Sequence, residues 1–448
     1  MAKMKDSGVK WIGEIPNTWN IKKVKYLATQ PESIFKDGDW IESDVIIDEG
    51  IKYLTTGNVG AGYFKEQGSG YISGETFKKL KCLKVLPEDL MISRLNEPIG
   101  RACMVPDTED MYVVAVDNVI LRPDEIYDKK FIMYCMNTTG YAEAGKDAAR
   151  GSTMQRVSRS LLGNFYIPIA HLKEQQLIAS FLDDKVGRID EILNDLNSQI
   201  KILDKYKKSL ITETVTRGLD PNVELKDSGV DWIGKIPKNW KISKLKYMVE
   251  IKDGTHDTPD YIEAGEDTVP LITGRFLDYN KHKILYDEAN HISYYDYKKI
   301  NIRSNVEYND IIMPMIGTIG NPVIVEEQRP FSIKNVALFK TSHDEILAKY
   351  LYYQLNSNII DEQFNILIRG GVQSFVSLNI IGNLLAINVE KKNQQEIVSY
   401  LDNKCRQIDT IILDKQMQIE KMQKYKKSLI YEYVTGKKRV KGAEELYG

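Results

Sequence analysis

Cysteine is scarce in this chain. Cys82, Cys103, Cys135 and Cys405 stand far apart, and none belongs to a Cys-x-x-Cys pair. That spacing excludes a disulfide framework and a thiolate zinc site, and it reads as reduced thiols in a cytoplasmic protein. Histidine is as sparse: His171, His256, His282, His291 and His343 form no H-x-x-x-H or H-x-E arrangement, so no metal is expected. Long apolar runs are missing too, and nothing approaches the roughly eighteen residues that would span a membrane. The amino-terminal MAKMKDSGVKW lacks an apolar signal core, so the mature chain is expected to be the whole chain. Charge of one sign is also absent: 61 Lys and Arg against 63 Asp and Glu leave a net −2. A nucleic-acid partner would therefore have to be met by locally concentrated basic groups.

Catalytic signatures are lacking as well. GYAEAGKD, Gly140 to Asp147, nearly spells a phosphate-binding loop, but Asp147 replaces the magnesium-ligating hydroxyl and would repel phosphate. Asn96-Glu97-Pro98-Ile99 falls short of an amino-methyltransferase Asn-Pro-Pro-aromatic corner, and no Gly-rich cofactor loop precedes it. There is no G-x-S-x-G elbow. No catalytic residue is assigned.

What is present is duplication. Lys5 to Tyr26, KDSGVKWIGEIPNTWNIKKVKY, recurs at Lys226 to Tyr247 as KDSGVDWIGKIPKNWKISKLKY. A second segment, Lys173 to Thr216, recurs at Lys392 to Thr435. The period of about 220 residues marks a tandem repeat. In the first copy of the later segment Leu182, Val186, Ile189, Leu193, Leu196, Ile200, Leu203 and Leu210 alternate at spacings of four and three, with Lys207 the polar interruption. Leu401, Ile408, Ile412, Ile419, Met422 and Leu429 carry the same seam in the second, together with Cys405, Lys415 and Lys426. Such a seam predicts a long helix that needs a partner helix, and the other copy is the available partner.

Between these framework pieces lie two bodies of unlike sequence. Val45-Ile46-Ile47, Ile51 to Leu54, Cys103 to Val105 and Tyr112 to Leu121 read as strands in the first; Val269 to Thr273, Ile311 to Met315, Pro322 to Val325 and Val336 to Lys340 do so in the second. Helices are predicted at Lys129 to Asn137 and Glu345 to Asn356. Each body reads as a strand-rich α+β domain. Trp11, Trp19, Trp232 and Trp240 in the lead-in segments are read as packing anchors ahead of base-stacking platforms.

Binding signals are local. IKDGTHDTPDY, Ile251 to Tyr261, is a punctuated loop offering Lys252, Thr255 and His256; a groove-reading loop and a plain tight turn both stay open. Arg150, Ser152, Thr153, Gln155 and Arg156 surround a flexible Gly, matched by Arg369, Gln373 and Ser374. Arg pairs with guanine edges or phosphate and Gln with adenine, although a solvated joining loop remains the alternative. Arg94 and Asn96 join the candidates. The lysines at 22, 23, 25, 241, 244 and 246 read as a solvated face.

KDSGVxWIGxIPxxW at both starts, DGTHDTP, and the EQQ- and NQQ-led helices ending in YKKSLI closely resemble the specificity subunit of type I restriction–modification systems. The resemblance covers almost the whole chain. It implies an α+β fold of two target-recognition domains separated by two long antiparallel coiled-coil helices, in a pseudo-two-fold arrangement. The corresponding divisions are 1–165 and 218–385 for the domains, 172–217 and 391–435 for the helices, and 436–448 for a basic tail. It implies a non-catalytic reader of an asymmetric, bipartite double-stranded DNA target, one domain per half-site. Two modification subunits, which use S-adenosylmethionine to methylate flipped-out adenine, would dock on the helices. Restriction subunits using ATP and magnesium would join them, and this chain would bind no cofactor itself. A helix of about 40 residues extends roughly 60 Å, enough to span an unread spacer. DGTHDTP has no evident match in the first body, where Pro31 to Gly38 and Asn58 to Gly62 occupy comparable stretches. The rival readings are a methyltransferase-only or type II-like specificity subunit, a fused methyltransferase, and a coiled-coil scaffold for proteins.

Overall fold

The computed structural model describes residues 3–68, 70–109, 111–149, 155–278, 282–317, 319–369 and 375–442. The chain divides into two compact units, Met1–Leu196 with Met417–Gly448, and Asn197–Gln416. Both long helices, Leu172–Arg217 and Lys391–Val434, are cut by that division, so each unit holds the first half of one and the second half of the other.

In the first unit the lead-in segment is a hairpin of Met4–Asp6 against Glu14–Pro16. Asp6 accepts from the Gly8 amide, which closes the turn the Asp-Ser-Gly run calls for. Ile12, Ile15 and Trp19 then insert into a core shared with the helix Lys129–Met136 and with Leu182, Ile189, Leu429 and Val434 of the long helices. Trp19 is fully buried and its indole N–H donates to Glu174 at 2.9 Å. Trp11 lies edge-on to Tyr141. In the second unit Trp240 is buried, whereas Trp232 stays 39% exposed, so three of the four tryptophans serve packing.

The first body contains a four-stranded antiparallel sheet ordered Ile34–Asp37, Asn118–Arg122, Leu90–Ser93, Ala102–Met104. A three-stranded sheet places Ile51–Leu54 between Gly70–Ile72 and Tyr112–Val114. The second body repeats the order: Glu250–Asp253, Val336–Lys340, Ile311–Pro314, Val323–Ile324. Its three-stranded sheet places Thr268–Ile272 between His291–Ser293 and Ser332–Ile333. Two sequence expectations need correction. Val45 ends a short 3-10 turn, Ser43–Val45, and only Ile47 bridges a strand, because the Asp and Gly residues around it break alternation. The run Tyr112 to Leu121 is two strands in two different sheets, bent at the intervening Val116-Asp117. GYAEAGKD falls inside the helix Thr139–Ala148, where the Tyr141 amide is capped by the Thr138 hydroxyl and the Ala142 amide bonds Thr138 O, so the segment is a helix and not a phosphate-cradling loop.

The long helices run antiparallel within each unit. Asp190 meets Lys426 at 2.5 Å in the first, and Phe181 stacks on Tyr433 nine residues earlier on one helix and seven later on the other. In the second, Lys207 meets Asp409 at 2.7 Å and Lys415 donates to Gln199 at 2.5 Å. Every residue of the predicted seam is buried or half-buried. Two further pairs of repeat-equivalent contacts tie each body to its helix. Asp183 accepts from Lys130 and Tyr134, and Asp402 accepts from Lys349 and Tyr353. Gln175 donates to Ala170 O at 2.8 Å and Gln394 to Val389 O at 3.0 Å, which explains the repeated glutamines as anchors of each helix start.

Candidate nucleic-acid interface

In both bodies the edge strand of the four-stranded sheet ends in Asp-Gly, as Asp37-Gly38 and as Asp253-Gly254. A Cβ on either glycine would collide with backbone, that of Val114 and Ala115 in the first body and of Ile333 in the second. No side chain is tolerated there, so the loop behind each strand leaves in the same direction. The next residues bridge in parallel to the sheet's second layer, Asp39 to Ala115 and Thr255 to Lys334. DGTHDTP therefore does have a counterpart in the first body, Asp37-Gly38-Asp39-Trp40. Sequence comparison misses it because only the Asp-Gly pair is shared.

The same scaffold carries different chemistry. In the second unit His256 occupies the fourth loop position. One ring nitrogen lies 2.9 Å from Asp253 and the other 3.0 Å from Asn335, and Arg303 also pairs with Asp253. The Thr255 hydroxyl accepts from the Asp257 amide at 3.1 Å, so Thr255 shapes the turn. Lys252 is paired with Glu250 at 3.5 Å, and Lys334 bonds Thr258. His256 is exposed at its edge yet held at both nitrogens.

In the first unit Trp40 occupies that position and projects into solvent, 72% exposed. Asn118, the counterpart of Asn335, is fully buried, and neither of its amide atoms has a hydrogen-bond partner among the described residues. Asp37 is held instead by Arg94 and Arg159, each at 3.1 Å. Arg156 meets Asp117 at 2.7 Å. Arg94 is 5% exposed and donates to Val157 O at 3.1 Å and Val116 O at 2.6 Å. Burial draws its pKa down and neighbouring Asp37 draws it back up. Arg94 thus ties the loop to the sheet, while Arg156, 43% exposed, presents guanidinium surface. Leu95 bridges Arg156, and the Asn96 amide donates to Gln155 O at 3.0 Å, which brings four sequence candidates, Arg94, Asn96, Gln155 and Arg156, to one place. Three guanidinium groups face two carboxylates here, a local positive excess in a chain of net negative charge.

Arg150, Ser152, Thr153, Gln373 and Ser374 lie outside the described residues, and so does the Arg369 side chain. Sequence reading missed Asp37, Trp40, Arg159, Asp117 and Arg303. The repeated Asp-Gly was the available signal for the first two. Among the described residues no group of three His, Cys, Asp or Glu could hold a metal ion, and no helix is long and apolar enough to cross a membrane.

The profile of the protein family described as "Type I restriction modification DNA specificity domain" matches residues 16–202. The MjaVIII specificity subunit of Methanocaldococcus jannaschii is 26% identical over 66% of this chain and 67% of its own. The putative MjaX specificity subunit of the same organism is 22% identical over 96% of both chains. The EcoBI specificity subunit of Escherichia coli is 25% identical over 62% of this chain and 58% of its own. Among solved structures, a chain from work on complex assembly and conformational transition of the type I R-M system has a TM-score of 0.65 at 12% identity, covering 94% of this chain and 98% of that one.

Proposed function

We propose that this chain is a non-catalytic, DNA-recognising specificity subunit of a type I restriction–modification system, as its similarities support, and that its two bodies each read one half of an asymmetric, bipartite DNA target. The observation that carries this reading is one sheet scaffold used twice with two different fillings of the Asp-Gly loop, Trp40 in one body and His256 in the other. Identical scaffolds with unlike contact groups suit two unlike half-sites. In the first body Arg156, Gln155, Asn96 and Trp40 are the candidate contacts, with Arg94 and Arg159 as positioning residues. In the second, His256, Lys252 and Lys334 take that place.

The long helices act as the ruler that sets the unread spacer, and two modification subunits and the restriction subunits assemble on the chain. S-adenosylmethionine, ATP and magnesium belong to those partners, and this chain works in the cytoplasm without a cofactor of its own.

Exchange of residues 27–150 for those of a relative with another target tests the reading. Methylome sequencing should then show one half-site changed and the other retained. A change in both half-sites, or no sequence-selective gel shift by the complex reconstituted with its modification subunits, overturns it.

A further inference from the structure

Residues 71–80 of the first body and 291–300 of the second, YISGETFKKL and HISYYDYKKI, are identical at four of ten positions, although the bodies are otherwise unlike. Folding explains two of the four. Ile72 and Ile292 are fully buried, each in the core of its three-stranded sheet. Ser73 and Ser293 are N-caps, accepting from the Thr76 and Asp296 amides of the helices Gly74–Leu80 and Tyr294–Asn301. The other two identities are the lysine pairs Lys78-Lys79 and Lys298-Lys299, and no packing requires them. All four lysines are exposed. Among the described residues none of the four forms an ion pair, and the one side-chain contact is that of Lys298 Nζ, 5.0 Å from the centre of the Tyr294 ring. A helix carboxyl end attracts positive charge into its last turn, but water and salt screen that attraction at exposed sites, and it calls for no particular pair of residues.

Both helices stand beside the Asp-Gly loops. Phe77 and Tyr297 pack them on the three-stranded sheets. Leu83, four residues beyond Lys79, donates its amide to Asp39 of the first loop at 2.8 Å. Arg303, four residues beyond Lys299, pairs with Asp253 of the second. Leu83 and Arg303 share the 220-residue shift of the lysines, so unlike bonds fasten the two lysine pairs at the same place in the scaffold. The loops themselves have diverged to Trp40 and His256, while the lysines flanking them have not. Two unlike half-sites present different base edges but the same phosphate backbone. Residues that differ between the bodies suit the bases; residues retained in both suit what does not vary.

We propose that Lys78-Lys79 and Lys298-Lys299 are two equivalent phosphate-backbone contacts, one beside each reading loop, which hold the loop on the duplex without reading sequence. This rests on the reading of the chain as a DNA-recognising specificity subunit.

The full chain, reconstituted with its modification subunits, is titrated with target and unrelated DNA between about 50 and 200 mM salt. Lys78→Gln with Lys79→Gln should reduce the steepness of log affinity against log salt by about 1–2, and Lys298→Gln with Lys299→Gln should reduce it equally. At the low-salt end each double variant should bind about tenfold more weakly or worse, by the same factor on target and unrelated DNA. The methylated sequence, read by methylome sequencing, should stay the same, and thermal melting by circular dichroism should match the unaltered chain. Arginine at the same positions should restore the salt dependence. An unchanged salt dependence in the glutamine variants, an altered methylated sequence, a loss that arginine does not restore, or a fall in melting temperature that accounts for the weaker binding would each overturn the proposal. The unaltered complex separates the two readings. If it fails to select its target, the proposed function falls; if it selects the target while the glutamine variants bind as it does at every salt concentration, only the lysine contacts fall.

Discussion

Lys207 Nζ lies 2.7 Å from Asp409 across the helix seam, and its repeat equivalent Lys426 lies 2.5 Å from Asp190. Each pair is the other with the helices exchanged, so one interaction is used twice to hold one antiparallel register. The Lys207 side chain is only 18% exposed, whereas Asp409 is 50% exposed. Solvent around the carboxylate limits each pair to about 1 kcal/mol or less. A polar group at a seam position serves register more than stability.

Charge reversal should expose this role. Lys207→Asp sets two carboxylates against each other and is expected to lower the melting temperature measured by circular dichroism. Adding Asp409→Lys should restore it. Lack of recovery in the double variant would mean that the pair does not act as a pair.

Arg94 and Arg156 share Asp117 but should behave oppositely on substitution. Arg94→Ala strips the buried carbonyls of Val157 and Val116 of their donor and leaves Asp37 short of a cation. A loss of about 3 kcal/mol in denaturant stability is expected, in line with a broken buried network. Arg156→Ala should leave stability within about 0.5 kcal/mol and weaken DNA binding by the assembled complex about tenfold or more, at the first half-site only. The intact complex should also show quenching of Trp40 fluorescence on DNA addition, abolished by Trp40→Phe.

Gly38→Ala and Gly254→Ala each drive a methyl group into carbonyl oxygen of the neighbouring strand. Overpacking of this kind costs about 1–3 kcal/mol. Each variant should lose selectivity at its own half-site and keep the other, as read by methylome sequencing of cells carrying it. Simultaneous loss of both half-sites from one substitution would argue against independent readers.

Asp124 is nearly buried and accepts four hydrogen bonds, from the Thr29 amide and hydroxyl, the Gln30 amide and the Ser33 hydroxyl, at 2.7–3.0 Å. Burial alone would raise its pKa; the hydrogen bonds from Ser33, Gln30 and Thr29 outweigh that and hold it down to about 2. A folded pKa below the unfolded value of 3.8 gives stability that is present above about pH 4 and lost as pH falls through about 2. The amount is about 2 kcal/mol. Chemical denaturation of Asp124→Asn across that window should show a shallower fall in stability than the unaltered chain.

Sequence alone determined the framework of this protein. The duplicated KDSGV lead-ins, the two seams and the predicted helices at 129–137 and 345–356 all hold to within a residue or two, because heptad spacing, buried tryptophan and N-capping Asp128 and Asp344 are local signals. The seam even named its own partner, since two copies were on one chain. Tertiary structure decided the site. Arg94, Asp37, Asp117 and Arg156 are brought together by sheet pairing across more than a hundred residues, and pairing order is not written in any single strand. It also decided that Arg94 is buried while Arg156 is open, and that Trp40 takes the place of His256. Those outcomes depend on what packs above each loop, and burial is a property of the folded surface, which no run of residues carries by itself.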